Sequence, residues 1–269
     1  MKKSKWIFMA AVLVFLCAGA CQNGSPREGG EAKNRFLLRK TARPVLLLPE
    51  QKRGSPRMNL NLVLLDVTGS REREVFFRNL LYEGRSLPEY QKALIEEYRA
   101  AFIAGQEQNP ENSGAPLDWN YGEYMDFRIY QDRWIVLSRE KDYYTGGAHG
   151  MRDKTYYTVD LAELKNLSHE DLLTAPESPE FYGLVLEALR EKDGLEKDAP
   201  LSSGIYFYDA PETGSSFFPG PEGLGFHWNP YEIAPYSEGP VEVVIPWEKI
   251  EGLLNDRGQS IRSLFKPRS

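Results

Sequence analysis

Neither of the chain's two cysteines lies beyond residue 21, and that placement removes most of the ways a secreted body can be stapled together. Past Cys21 there is no thiol for an internal disulfide, a cysteine-ligated zinc or a thiol nucleophile. The body must therefore hold itself by ordinary core packing. Its 269 residues suffice for one or two domains. A 41% apolar and 27% charged composition is that of a globular chain, and 12% aromatic residues lean toward sheet.

The cysteines themselves sit in a targeting segment. Lys2, Lys3 and Lys5 precede an apolar run from Trp6 to Ala20, which is shorter than the roughly 20 residues of a spanning helix. The run ends in Ala18-Gly19-Ala20 and then Cys21, the layout of a secretory signal peptide. Three small residues before a cysteine resemble the bacterial lipobox, with Ala18 where leucine is usual, and imply lipidation at Cys21. Cleavage without lipid, or a retained anchor helix, is the competing reading. Gln22 after the cysteine points to the outer membrane if the host is diderm. Removing residues 1–20 takes away three lysines, leaving 30 basic against 39 acidic residues, a net of −9. That balance argues against a nucleic-acid partner and would steer a cationic one.

Residues 22–34 are polar and Gly-rich, a flexible tether. Val45–Leu48 reads as a first strand, and Met58–Val67 as one buried on both faces, with Leu60, Leu62 and Leu64 against Val63, Leu65 and Val67. Ser86-Leu87-Pro88-Glu89 opens a helix that Gly105 is placed to end. Asp118–Tyr130, a turn at Gln131-Asp132 and Trp134–Leu137 form a hairpin, and Thr155–Leu161 adds a strand. Ser178-Pro179 starts a second helix closed by Gly194. Ile205–Tyr208, Leu224–Trp228 and Val241–Ile245 are strand-like, and Arg257–Ser269 is a basic, frayed tail. The pattern is α+β: a mostly antiparallel twisted sheet with two main helices packed on one face.

Few catalytic templates fit. There is no Gly-x-Ser-x-Gly elbow, P-loop or dinucleotide fingerprint. The three histidines, His149, His169 and His227, show no metal-site spacing; His169 lies in a Ser168–Asp171 cap, and His227 points away from Leu224, Phe226 and Trp228, toward solvent. No metal and no cofactor is expected. Carboxylate pairs such as Asp126 with Asp132, or Glu187 with Glu191, read as surface solvation unless a cleft holds them at glycosidase separation.

Two segments carry a family likeness. One is Tyr143-Tyr144-Thr145-Gly146-Gly147-Ala148-His149-Gly150, followed by Leu167–Leu173. The other is Ser216-Phe217-Phe218, Glu222–Phe226 and Tyr231-Glu232-Ile233-Ala234-Pro235-Tyr236, running into Val243–Trp247. In this order they resemble the paired DUF4163 and DUF3298 domains of bacterial envelope proteins, over about residues 45–250. The resemblance divides the chain into a signal peptide (1–20), a lipid-anchored tether (21–44), a DUF4163-like region (45–160), a DUF3298-like region (161–250) and the basic tail (251–269). That family includes the extracellular domain of a lysozyme-sensing anti-sigma factor and a domain accompanying peptidoglycan deacetylases. It implies an extracytoplasmic α+β module that binds a protein or wall component, and does not imply catalysis. The sigma-binding segment and the deacetylase catalytic domain have no counterpart in this sequence.

The candidate contact residues are Tyr144, Gly146, Gly147, His149, Tyr231 and Tyr236. The glycines permit close backbone approach by a ligand, but turn chemistry alone also accounts for them, with His149 filling the bend. Tyr231 and Tyr236 either meet a partner or pack a proline-stiffened loop on the sheet. The expectation is an envelope lipoprotein, tethered to the membrane through Cys21, that binds a cationic, lysozyme-like protein or peptidoglycan without catalysis. The alternatives are a wall hydrolase or deacetylase-associated enzyme using His149 with a carboxylate, and a structural assembly partner.

Overall fold

In the computed structural model, residues 35–48, 55–108, 118–213 and 216–265 are described. The leader, Cys21 and the tether up to residue 34 lie outside the described residues. Among the described residues no helix is long and apolar enough to cross a membrane.

A six-stranded sheet runs in the order β1 (Arg35–Leu46), β2 (Arg57–Thr68), β3 (Trp119–Tyr130), β4 (Trp134–Tyr144), β5 (Met151–Asp160), β6 (Lys165–Leu167). Every neighbouring pair is antiparallel except β2 with β3. A parallel pair needs a crossover, and α1 (Arg71–Tyr82) and α2 (Leu87–Gln108) supply it. Both helices cover one face. Phe77 and Leu81 of α1 and Leu94 and Phe102 of α2 join Met58, Leu60, Leu62 and Leu64 of β2 in a first core.

A three-stranded antiparallel sheet, β7 (Phe217–Pro219), β8 (Gly223–Trp228) and β9 (Val241–Pro246), builds a second core with α3 (Pro179–Asp193). Phe181, Val185 and Leu189 of α3 pack with Leu224, Phe226 and Trp228 of β8 and Val241, Val243 and Ile245 of β9. Burial of each such side chain contributes about 1.5–3 kcal/mol. Trp134, from β4, is in this core as well, 1% exposed. The short helices α4 (Trp247–Ile250) and α5 (Asp256–Ser263) close the chain. The α+β expectation holds: a mostly antiparallel sheet with helices on one face, to which a second small sheet is added.

Five local expectations need correction. Pairing begins at Arg35, opposite Thr68, so residues 35–44 are strand and not tether. Their charges are tolerated because β1 is an edge strand, where Arg35, Arg39, Lys40 and Arg43 reach water. Strand β2 is not apolar on two faces along its length: Asn59 and Asn61 are exposed between buried Met58, Leu60 and Leu62, and both parities turn inward only at Leu64 and Leu65. Helix α2 passes Gly105, whose missing side chain faces open space, and continues to Gln108. Residues 205–208 form no strand; Phe207 N–H donates to the Ile233 carbonyl (2.9 Å) and Tyr206 is buried. The tail is not frayed up to residue 263: Asn255 caps α5, its Nδ2 donates to the Asp171 and Leu173 carbonyls, and Ile261 is fully buried.

Candidate functional site

The β4–β5 connection spans residues 145–150. Gly146 and Gly147 hold φ of 91° and 104°, a region that glycine occupies freely. Tyr144 Oη donates to the Gly147 carbonyl (3.1 Å), and His149 Nδ1 lies 3.0 Å from the Gly150 carbonyl. Across from this connection, the loop after β8 returns toward β9. Its Tyr236 Oη donates to the same Gly150 carbonyl (2.8 Å), and its ring stacks on His149 with centroids 4.1 Å apart and planes 19° off parallel. Tyr231 in turn stacks on Tyr236, with centroids 5.6 Å apart and planes 27° off parallel. The result is a column of three rings, His149, Tyr236 and Tyr231, joining the two segments singled out from the sequence. Tyr231 is 53% exposed and sits at φ 72°, a costly conformation for a tyrosine.

Tyr236, the middle ring, lines an open cleft of about 820 Å³. One wall is Glu140, Asp142 and Tyr144 of β4 with Arg152 and Lys154 of β5; the other is the loop from Asn229 to Pro240. His227 and Glu242 line the cleft beneath, cross-strand partners in the β8–β9 register. His227 is buried, 4% exposed, which corrects the expectation that it faces water. It does point away from the α3 core, but Tyr156 of β5 covers it (ring centroids 5.8 Å). Its Nδ1 is 3.2 Å from Glu242 Oε2 and its Nε2 is 3.3 Å from Asn229 Oδ1. The His227 hydrogen bond holds the Glu242 carboxyl below the ordinary carboxylate range, against the opposing effect of burial.

Asn229 fastens this floor to the larger sheet. Its Oδ1 accepts from Lys154 N–H (2.6 Å) and its Nδ2 donates to the Lys154 carbonyl (3.2 Å). Ser216 Oγ accepts from Tyr156 N–H (3.1 Å). These two side chains stand in for a neighbouring strand along the part of the β5 edge that short β6 does not reach. The strand β8 can sit so close because it is narrow. A Cβ on Gly225 would fall 2.2 Å from the ring of Phe218, which packs on Tyr156 (4.2 Å), and one on Gly223 would fall 1.9 Å from the Ile245 carbonyl oxygen. The glycines of the Gly-Leu-Gly-Phe stretch are thus a requirement of packing.

Residues 170–248 match the family DUF3298, described as a protein of unknown function. Over that stretch the chain is similar to DUF3298. Among curated proteins, none matches the sequence. Two solved structures share the fold. The crystal structure of a DUF3298 family member from Bacteroides fragilis superposes with a TM-score of 0.71 at 22% identity, over 89% of this chain and 100% of that one. A DUF3298 family protein from Pseudomonas aeruginosa gives 0.57 at 18% identity, with the same shares covered. The likeness therefore spans both cores and not the matched region alone.

Of the six candidate residues, Tyr144 and Tyr236 line the cleft, His149 and Tyr231 stack on Tyr236, and Gly146 and Gly147 shape the adjoining β4–β5 connection. The histidines do not converge: His149 is on Tyr236, His227 in the cleft floor, and His169 in the second core, stacked on Phe181 (5.6 Å). Among the described residues no group of three His, Cys, Asp or Glu side chains is placed to hold a metal. No carboxylate pairs with His149 among the described residues. Glu187 and Glu191 share an ion pair to Lys249 (3.5 and 3.7 Å). Sequence reading missed Asn229 and the His227–Glu242 pair. Alternation held the signal, since His227 lies between Phe226 and Trp228 and Glu242 between Val241 and Val243.

It missed a second polar cluster too. Glu123 of β3, fully buried, accepts from Arg139 Nε (2.8 Å), Tyr90 Oη (2.7 Å) and Tyr121 Oη (2.8 Å). Arg139 also donates to the Leu81 carbonyl (3.0 Å) and to Tyr90 Oη (2.7 Å). Burial disfavours the charged guanidinium, yet Glu123, together with Tyr90 and Tyr157, offsets it and holds Arg139 above its ordinary value. Burial and then the Glu123 charge push the Tyr90 and Tyr121 hydroxyls well above the usual tyrosine range, so they remain donors. The cluster ties α1, α2, β3 and β4 together, and every polar partner is used internally.

Proposed function

We propose that the chain is an extracytoplasmic lipoprotein held at the membrane through Cys21, whose folded body is a non-catalytic binding module for a protein or cell-wall ligand. The observation that carries this reading is the column His149–Tyr236–Tyr231, whose middle ring lines the cleft. Rigid, part-exposed aromatic rings beside a polar cleft are what recognition surfaces use, because few torsions are lost on binding. Strain at Tyr231 supports the same reading, since sparsely populated backbone conformations cluster at functional positions. A binder is favoured over an enzyme because both nitrogens of His227 are occupied by Glu242 and Asn229, and His149 has no carboxylate to orient it. A net charge of −9 on the mature chain favours a cationic partner, and the finer version is a lysozyme-like protein, in line with the DUF4163/DUF3298 and anti-sigma-factor resemblance.

The test is calorimetric titration of the mature chain with lysozyme and with soluble peptidoglycan fragments. One of these ligands is expected to bind, and Tyr231→Ala to weaken it at least tenfold, the usual cost of removing an aromatic anchor, with little change in Tm. Absence of heat with both ligands would reject the reading. Turnover of a wall fragment abolished by His149→Ala would replace it with the enzyme.

A further inference from the structure

Strand β1 is the outer strand of the larger sheet, and its partner-free side is unlike the rest of the molecule. Its twelve residues, Arg-Phe-Leu-Leu-Arg-Lys-Thr-Ala-Arg-Pro-Val-Leu, hold four cations and no acid, in a chain whose formal charge is −6. Arg39 is bound to Asp66 (2.9 Å), but Arg35, Lys40 and Arg43 are exposed and have no ion-pair partner among the described residues. Arg57, where β2 meets the end of β1, is exposed as well. Between these cations Leu37 and Leu38, which project to opposite faces of the strand and so flank its edge, are 36% and 38% exposed. From Arg35 to Arg43 the stripe is about 27 Å long at the antiparallel rise.

We propose that this outer edge of β1 is a docking surface for an anionic phospholipid bilayer. Cations interleaved with exposed leucines are the composition that lies at a membrane interface: leucine enters the headgroup boundary while Arg and Lys meet lipid phosphates. Position points the same way. Arg35 is only fourteen residues from Cys21, so even a fully extended connection keeps it within about 50 Å of the anchoring point. Of the whole folded body, β1 is the element joined to that connection. The edge is also protected against pairing with another protein strand, because Pro44 lacks a donor and the charges repel a second copy.

The strand order gives the docking a consequence. The cleft is built on β4 and β5, three and four strands away from β1. At the usual strand spacing that is roughly 15–20 Å. A body resting on β1 therefore holds its cleft away from the bilayer. This surface shares only the Cys21 anchor with the proposed function and does not depend on what the cleft takes.

Vesicle flotation of the mature chain carrying Cys21→Ser, which removes any lipid, tests the surface apart from the anchor. At low ionic strength the chain is expected to float with phosphatidylcholine vesicles doped with phosphatidylglycerol and not with phosphatidylcholine alone. Each basic residue near such a surface is worth about fivefold in partitioning, so Lys40→Gln with Arg43→Gln is expected to weaken it about 30-fold. Lys192→Gln with Lys197→Gln, the same charge change at exposed sites in the last turn of α3 and just beyond it, is expected to leave it within about twofold of the parent, being outside the contact. Equal loss in the two double variants, flotation with phosphatidylcholine alone, or no flotation at all would overturn the proposal. Mass spectrometry of Cys21 decides the anchor separately.

Discussion

Replacing Glu123 by glutamine keeps the shape of the side chain and removes its charge from the most densely bonded polar cluster in the fold. Three donors converge on that carboxylate at 2.7–2.8 Å, and Arg139, with 11% of its side chain exposed, has no other carboxylate within ion-pair distance among the described residues. A buried hydrogen bond to a charged group is worth about 1.5–3 kcal/mol. The amide oxygen of glutamine can still accept from one or two of the donors, but the guanidinium is left charged and unpaired. Breaking a buried pair from one side costs about 3–5 kcal/mol, and that is the loss expected for Glu123→Gln in urea unfolding at neutral pH. Arg139→Met should fall at the lower end of that range, because Tyr90 and Tyr121 continue to donate to the carboxylate. The double variant carries no stranded charge, so its loss should be smaller than the sum of the singles by at least ~2 kcal/mol. The m-value should stay constant, which marks a change in stability and not in the unfolded chain. Additive singles, or a Glu123→Gln loss below ~1 kcal/mol, would refute the assignment of this cluster as a coupled ion pair.

Two further outcomes follow from the second core. Gly225→Ala drives a methyl into the Phe218 ring and should cost about 1–3 kcal/mol; Phe218→Leu in the same chain should recover part of it, whereas Gly223→Ala, which meets the Ile245 backbone, should find no such rescue in thermal melts. His169 is pushed below its ordinary value by burial, so the folded ring stays neutral while the unfolded one takes up a proton as pH falls through about 6.5. Stability should then fall toward acid with a slope of at most ~1.4 kcal/mol per pH unit, and His169→Phe, which keeps the stack on Phe181, should remove that share of the slope between pH 7 and 5.5 in urea titrations.

What the sequence made legible is what is decided within a few residues. Ser86, Pro88 and Glu89 announced α2, and Glu89 Oε2 does accept from both the Ser86 N–H (2.8 Å) and its hydroxyl (2.6 Å). Ser178 and Gly194 bracketed α3 because a cap and a left-handed residue (φ 68°) are chemistry of single positions. Helix α1 escaped because its first turn, Arg71-Glu72-Arg73-Glu74, is all charge, and its buried residues number three: Phe77, Leu81 and Tyr82. Its signal was also local, in Ser70, whose hydroxyl accepts from Arg73 N–H (3.5 Å). The ring column and the connection beside it were legible residue by residue, since glycine pairs and prolines next to tyrosines stand out. That Tyr236 would seat itself on His149, 87 positions away in the chain, was not, because the contact is made by tertiary packing.

The cleft also explains why the likeness to solved structures runs past the matched region. Residues 170–248 contribute His227, Asn229, Tyr236 and Glu242, but the facing wall belongs to β4 and β5. Asn229 and Ser216 satisfy backbone groups of Lys154 and Tyr156 that no strand reaches, and leaving such groups buried and unpaired costs about 1–3 kcal/mol each. In return Tyr156 covers His227, and Trp134 fills the core beneath α3. A boundary at 160/161 would cut the β5–β6 pairing and strip Trp134 from its neighbours. The small sheet and the large one therefore form a single body among the described residues, and the cleft exists only because each supplies the cover that the other lacks.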